Sequence, residues 1–444
     1  MDKTVIDSYP RYESYKDSGV DWLEYIPEDW QVWNSKWLFA CRKEKARKND
    51  EQLTASQKHG VIPQKLFMQL EGRKVTTVFL NHEILKHVEK GDFVISMRSF
   101  QGGIEYCNYK GSVSSAYVSL IPNDTIHAPF YKFLLKSKRY IEALQSTSNL
   151  VRDGQALRYD NFCMVPLILI PLKEQKSIAS FLSTKTTQID QAITLKQQQI
   201  AKLEEYKQIV IQNAVTKGLN PDVPMKDSGV NRIDKLPEHW KIKKFRFSFK
   251  FQRGLNITKD DLRDEGVLCL NYGEIHSKYG FELLPEHTLK YVDDKYIETN
   301  HKSLLNNGDF VFADTSEDVA GSGNFSYING KMQVFAGYHT LIAKPIIDFD
   351  SRFIAYLLDS RAFRGQVQQR VKGVKVYSIT QSILKSTYIW LPPIDEQARI
   401  VHKLDSDMKL IHETIQSYKN QIDRLKEYKT ILINQAVTGK IKVS

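Results

Sequence analysis

The sequence predicts an α+β chain of two pseudo-repeated mixed α/β domains separated by two long helices that form an antiparallel coiled coil. Three observations lead there. Short motifs recur in the same order in both halves. Apolar runs of strand length are mixed with helically spaced ones. A narrow apolar stripe at alternating spacings of four and three runs along the last fifth of each half.

The repeat is visible directly. Lys16-Asp17-Ser18-Gly19-Val20 returns unchanged as Lys226-Asp227-Ser228-Gly229-Val230, and Pro27-Glu28-Asp29-Trp30 returns as Pro237-Glu238-His239-Trp240. Gly91-Asp92-Phe93-Val94 returns as Gly308-Asp309-Phe310-Val311, and Pro171-Leu172-Lys173-Glu174-Gln175 as Pro393-Ile394-Asp395-Glu396-Gln397. Residues 199–216 match residues 421–438 at 11 of 18 positions. The offset drifts from 210 to 217 to 222, so flanking segments hold register while the material between them changes length and sequence. One scaffold therefore carries two different variable surfaces.

Within residues 30–171, Phe93-Val94-Ile95-Ser96-Met97 and residues 116–121 read as strands, bounded by Gly91-Asp92 and Pro122. Residues 131–144 place Phe133, Leu134, Tyr140, Ile141 and Leu144 at helical spacing, which predicts one helix. The second half repeats the order: Phe310-Val311-Phe312, Thr340-Leu341-Ile342-Ala343, then a helix over residues 352–363. Pro171 and Pro393 start further helices with Glu174, or Asp395 and Glu396, in the first turn, where the helix dipole favours acids. A break is expected near Ser183 and Asp405. Beyond it the stripe runs through Ile189, Ile193, Lys196, Ile200, Leu203, Lys207, Val210 and Ala214. In the second copy it runs through Ile411, Ile415, Tyr418, Ile422, Leu425, Lys429, Leu432 and Ala436. A helix packed only on its own domain would carry a wider stripe; two matched narrow ones favour mutual pairing. Lys207 and Lys429 occupy equivalent seam positions, where a polar side chain fixes register.

Composition narrows the function class. The 444 residues carry 63 Lys+Arg against 52 Asp+Glu, net +11, and each half is basic by itself: 30 against 24 in residues 1–220, and 33 against 28 in the remainder. Basic charge favours an anionic partner. With 41% hydrophobic residues the chain can bury a core, and its longest apolar run, residues 163–172, is too short to span a bilayer. Asp2, Asp7 and Glu13 come too early for a secretory leader, so a cytoplasmic location is expected. Four scattered cysteines oppose a disulfide framework or a paired-cysteine metal site.

No catalytic constellation is evident. Thr438-Gly439-Lys440-Ile441 lacks the upstream glycine and the hydroxyl of a phosphate loop, and no His-Glu-x-x-His occurs among the 11 histidines. Pro221-Asp222 with Lys226 lacks the further carboxylate that metal-assisted cleavage needs. Ala320-Gly321-Ser322-Gly323 reads as a surface turn, since no Asn-Pro-Pro-aromatic segment follows to complete a methyl-transfer site. Neither a catalytic residue nor a bound metal is expected.

The segment Ala214-Val215-Thr216-Lys217-Gly218-Leu219-Asn220-Pro221, running into Lys226-Asp227-Ser228-Gly229-Val230, resembles the junction between halves in the specificity subunit of type I restriction–modification enzymes. Pro392-Pro393-Ile394-Asp395-Glu396-Gln397 is similar to that family's entry into its helical region; the first copy has Ile170-Pro171 in place of the double proline. The resemblance spans essentially the whole chain and rests on the duplicated order rather than on any one motif. It implies target-recognition domains at residues 1–172 and 219–392, each reading one half of a split, asymmetric double-stranded DNA sequence. It implies conserved helical regions at residues 173–218 and 393–444, two adenine-N6 methyltransferase subunits docked on them, and a restriction/translocase subunit for cleavage. S-adenosylmethionine, Mg and ATP would be bound by those partners, not by this chain.

Duplex binding needs cations for phosphates and bidentate side chains for base edges. Between residues 360 and 394 lie Arg361, Arg364, Arg370, Lys372, Lys375 and Lys385 with no acid. The first half offers Lys132, Lys136, Lys138 and Arg139, then Arg152, Gly154 and Arg158. Arg98 follows a predicted strand and precedes Gly102-Gly103; its counterpart region holds Asp314, Thr315 and Ser316. An Asp accepts from cytosine N4 where an Arg reads guanine, so the halves should prefer different bases. The cluster Arg42-Lys43-Glu44-Lys45-Ala46-Arg47-Lys48 suits phosphates. Two competing readings are a scaffold whose basic loops bind protein or RNA, and a self-sufficient nuclease. The nuclease would cut DNA with metal alone.

A helix over residues 185–214 would be about 45 Å long, against about 34–36 Å for one turn of duplex. Inserting four residues in one long helix is expected to widen the preferred half-site gap by about 6 Å, or roughly two base pairs. Methylation mapping reads this gap, and an unchanged gap contradicts the spacing role.

Overall fold

The computed structural model describes residues 8–72, 84–96, 99–147, 157–230 and 233–443. The chain divides into two compact units: residues 1–197 with 418–444, and residues 198–417.

In the first unit a four-stranded antiparallel sheet runs in the order Phe39–Arg42, Val118–Pro122, Phe93–Ile95, Glu105–Tyr106. Phe39, Phe93 and Leu120 pack against Phe130, Tyr131 and Phe162. Ile178, Leu182 and Ile189 from the first long helix, with Leu432, Ala436 and Val437 from the second, complete the same core. In the second unit a five-stranded sheet runs Phe249–Arg253, Thr340–Pro345, Phe310–Ala313, Phe325–Ile328, Phe281–Leu283. Only its last pair is parallel. Phe245, Phe249, Phe310 and Phe312 meet Phe353, Leu357 and Phe363, and here the long helices supply Ile211, Val215, Ile400 and Leu404.

The repeated motifs are partners in space. Trp30 Nε1 donates to Glu174 at 3.2 Å, and Trp240 Nε1 to Glu396 at 3.3 Å. Gln175 accepts from the His127 N–H at 2.6 Å and donates to the carbonyls of Thr125 and Ile170. Gln397 accepts from the Asp350 N–H at 2.9 Å and donates to the Pro392 carbonyl. Lys16 bonds the Glu28 carbonyl and Lys226 that of Glu238. Gly19 and Gly229 turn the chain at φ 66° and 64°, a region glycine enters without steric cost. In each copy a buried tryptophan N–H is thus satisfied by a glutamate from another duplicated segment, and losing that glutamate would orphan it.

Strands occur at Phe93–Ile95, Val118–Pro122, Phe310–Ala313 and Thr340–Pro345. Each single helix expected after them is instead two: Ala128–Leu134 with Lys138–Ser146, and Ser351–Asp359 with Arg361–Gln368. The cause is a serine at the joint. Ser137 and Ser360 hold extended backbone, at φ −69°, ψ 145° and φ −68°, ψ 149°. Their hydroxyls donate to the carbonyls of Leu134 and Leu357, and Ser360 Oγ accepts from the Phe363 N–H.

The breaks expected near Ser183 and Asp405 do not occur: Leu172–Lys217 and Ile394–Val437 are continuous helices of 46 and 44 residues. Neither contains Gly or Pro. Core contacts run through both positions, with Leu182 and Thr186 buried on one helix and Ile400 and Leu404 on the other. Asp405 itself binds Arg352 at 2.7 Å and the Tyr356 hydroxyl at 2.5 Å.

In the first unit Lys429 binds Asp190 at 2.7 Å, while Lys196 bonds Gln421 and lies 5.2 Å from the Tyr418 ring. One residue number rises as the other falls, so these helix segments run antiparallel. Ile189, Ile422 and Leu432 are buried there, with Ile193 and Leu425 packed beside that core. The Lys429 ammonium leaves the seam for Asp190. In the second unit Ile411 and Ile415 are buried, and Ile200, Leu203, Lys207 and Val210 half-buried.

Gln397→Leu would leave the Asp350 N–H and the Pro392 carbonyl without this partner. A stability loss of about 1–3 kcal/mol is expected from the denaturant midpoint; an unchanged midpoint contradicts the capping role.

Candidate nucleic-acid interface

In the second unit the chain leaves the central strand Phe310–Ala313 at Asp314. Thr315–Ser316 then pairs antiparallel with Tyr377–Ser378, and the Ile379 N–H donates to the Asp314 carbonyl at 2.8 Å. This short ladder brings Asp314 and Thr315 to the loop carrying Arg370, Lys372 and Lys375. All three cations are exposed; Arg370 also reaches the Gln366 carbonyl at 2.6 Å. A Cβ at Gly373 would lie 2.0 Å from the Val376 carbonyl oxygen, so the turn closes only with glycine. Val374, 94% exposed, stands at its tip.

A chain of hydrogen bonds stiffens this surface from behind. Asp359 holds Arg364 at 2.9 Å, Arg364 donates to Asn324 at 2.7 Å, and Asn324 donates to His276 Nδ1 at 2.9 Å. His276 Nε2 then donates to the Thr315 carbonyl at 2.8 Å. Arg364 is therefore a brace. On the solvent side His339 Nδ1 lies 3.2 Å from the Asp314 carboxylate. The turn at residues 320–323 is packed in place: a Cβ on Gly321 would lie 2.6 Å from Ser316 Oγ.

In the first unit Arg98, Arg152 and Gly154 lie outside the described residues. Arg158 is exposed at the start of the helix Tyr159–Met164. Lys138 is exposed, 3.8 Å from Glu142, and Arg139 pairs with Glu24 at 2.9 Å. Lys132 is exposed, its ammonium 5.8 Å from the Tyr106 ring, and desolvation lowers its pKa. Lys136 pairs at 2.8 Å with Glu105, a buried acid whose pKa is raised by desolvation against the pull of that lysine. Lys136 is thus structural.

The basic cluster also divides. Arg42 grips Asp92 at 2.7 and 3.0 Å and Glu44 at 2.6 Å. Arg47 pairs with Glu44 and Glu89. Lys43, Lys45 and Lys48 remain exposed. Behind them buried His87 bridges Asp50 at 2.7 Å and Glu89 at 2.9 Å. Bonds from His87 and then Lys110 hold the Glu89 carboxyl down at about 2. Among the described residues no cluster of His, Cys, Asp and Glu could hold a metal ion. The buried thiols of Cys107 and Cys269 are pushed up to about 12 by desolvation, which removes them as nucleophiles.

Comparison with known proteins fits this geometry. A family model, the type I restriction modification DNA specificity domain, matches residues 27–205 and 237–426, once in each half. The chain is 26% identical over 367 residues to the type I restriction enzyme MjaVIII specificity subunit of Methanocaldococcus jannaschii, covering 82% of this chain and 81% of that one. It is 22% identical over 387 residues to the EcoKI specificity subunit of Escherichia coli, covering 82% and 78%. Its fold is similar to a chain in a solved type I R-M system (TM-score 0.69, 14% identity, 93% of this chain and 98% of that one). It is also similar to the HsdS subunit of Thermoanaerobacter tengcongensis (TM-score 0.54, 15% identity, 94% and 98%).

Arg364→Leu is expected to lower stability by about 1–3 kcal/mol and to speed amide exchange at Ser316 and Ile379, while Lys372→Ala changes neither. Equal effects from the two variants would contradict the brace.

Proposed function

The chain belongs to the type I restriction modification DNA specificity family, and from that premise we propose how it works. It is the DNA sequence-specificity subunit of a restriction–modification assembly, reads a bipartite asymmetric duplex target, and performs no catalysis. The observation that carries this reading is one scaffold built twice on the same hydrogen bonds, with unlike loops in the two copies.

In this proposal residues 1–172 and 219–392 are the two target-recognition domains. Residues 173–218 and 393–444 are the helical regions on which two adenine-N6 methyltransferase subunits dock. Restriction/translocase subunits join for cleavage, and S-adenosylmethionine, Mg and ATP belong to the partners. Lys372 and Lys375, with Lys43, Lys45 and Lys48, neutralise phosphates and set register. Arg98, Arg152, Arg158, Lys138 and Arg139 face one half-site; Asp314, Thr315 and Arg370 face the other. Arg139 would exchange Glu24 for a phosphate on binding. Among the described residues no helix is long and apolar enough to cross a membrane, which is compatible with the cytoplasmic site that chromosomal DNA requires.

Methylation mapping of a host genome tests the function: one bipartite adenine-methylated motif is expected with the chain and none without it. An unchanged methylation pattern contradicts it. With methyltransferase subunits present, Lys372→Ala/Lys375→Ala is expected to flatten the slope of log affinity against log salt by about 1 per lysine. Matched and mismatched duplexes should weaken alike; a loss confined to the matched site would make these lysines base readers.

A further inference from the structure

We propose that His339 is a base reader of the half-site served by the second unit, accepting a hydrogen bond from the exocyclic amino group of adenine or cytosine, with Asp314 as its positioning residue. The proposal rests on the DNA-reading function above. It begins with backbone strain. His339 has φ 55°, a left-handed conformation that side-chain-bearing residues rarely adopt and glycine adopts freely.

The surroundings hold it there. The Tyr338 N–H donates to Asn271 Oδ1 at 3.3 Å, the Asp314 N–H donates to the His339 carbonyl at 3.0 Å, and Thr340 Oγ1 donates to the Gly337 carbonyl at 2.6 Å. A Cβ on Gly337 would lie 1.9 Å from Asn271 Oδ1, so the turn has little room to relax. Strain held by so many contacts is characteristic of ligand-binding positions.

The imidazole is fixed as firmly as its backbone. Its ring stands edge-on to Tyr272 at 5.3 Å and to Tyr338 at 6.0 Å, and Nδ1 lies 3.2 Å from Asp314 Oδ1. A carboxylate only accepts, so Nδ1 carries the proton, and in the neutral ring Nε2 is left as an acceptor. Nε2 has no hydrogen-bond partner among the described residues, and the side chain is 56% exposed. The same Asp314 is joined through its carbonyl to Ile379, at the foot of the Arg370–Lys375 loop, so phosphate and base contacts share one support. In the major groove adenine N6 and cytosine N4 are donors, while guanine and thymine offer only acceptors. A lone acceptor aimed there rejects guanine and thymine. Asp314, with one oxygen already engaged, acts through His339.

The test uses the complex with methyltransferase subunits and duplexes varied at each base pair of its mapped target. Purine replaces adenine in one arm, and pyrimidin-2-one replaces cytosine in the other. The unmodified complex is expected to lose affinity by about tenfold at one position in one arm, which names the base. His339→Gly, whose backbone suits the turn, should keep the thermal midpoint and bind all four bases at that position within about twofold. Other positions stay unchanged, and Asp314→Asn relaxes the same position only. Full preference retained by His339→Gly, or a loss spread evenly over all positions, overturns the assignment. An unmodified complex that prefers no bipartite sequence overturns the underlying function, and this assignment with it.

Discussion

The bond from a buried tryptophan to a glutamate in the first turn of a long helix, made once in each unit, is the constraint on which the architecture depends. Glu174 takes it from Trp30, and Glu396 from Trp240. The adjacent glutamine then ties the same turn to the segment that starts an earlier helix of the domain. Neither tryptophan could be buried without an acceptor for its N–H, and neither glutamine could be buried without satisfying donor and acceptor alike. Helix entry and domain are therefore fixed together, and the long helices enter the cores of both units rather than lying on them.

That constraint separates what must stay from what may vary. The Asp359–Arg364–Asn324–His276–Thr315 relay and the Asp314–Ile379 bond hold the loops carrying Thr315 and Lys372 at their bases. Their tips at Lys372, Val374 and Lys375 are exposed, so substitutions there cost little folding energy. A protein that discriminates among DNA sequences needs this division: base contacts change without disturbing the frame that aims them.

Much of the frame was legible in the sequence because it is written in residues whose chemistry is not interchangeable. A Trp needs an acceptor, a buried Gln needs several partners, and a left-handed turn suits Gly, so these positions recur in both halves. The split helices were not legible, because a single serine at position 137 or 360 looks like any surface serine until its hydroxyl is seen bonding the previous turn. The continuous long helices were misread for the opposite reason: Ser183 and Asp405 resemble stops, but the apolar face runs through them. Among the candidate readers, charge counted along the chain could not reveal that Glu105, Glu24 and Asp359 already engage Lys136, Arg139 and Arg364. His339 gave no signal at all, since nothing in a Tyr-His-Thr segment announces a positive φ.

The most direct test of a constant frame with separable readers is a loop exchange. Residues 314–323 and 370–378 would be replaced by the corresponding segments of a relative with a different target, and the methylated motif mapped genome-wide. One half of the motif is predicted to change to that of the donor, while the other half and the gap between them stay as they were. Both halves changing together, or neither changing although the exchanged chain folds and assembles, would contradict the account.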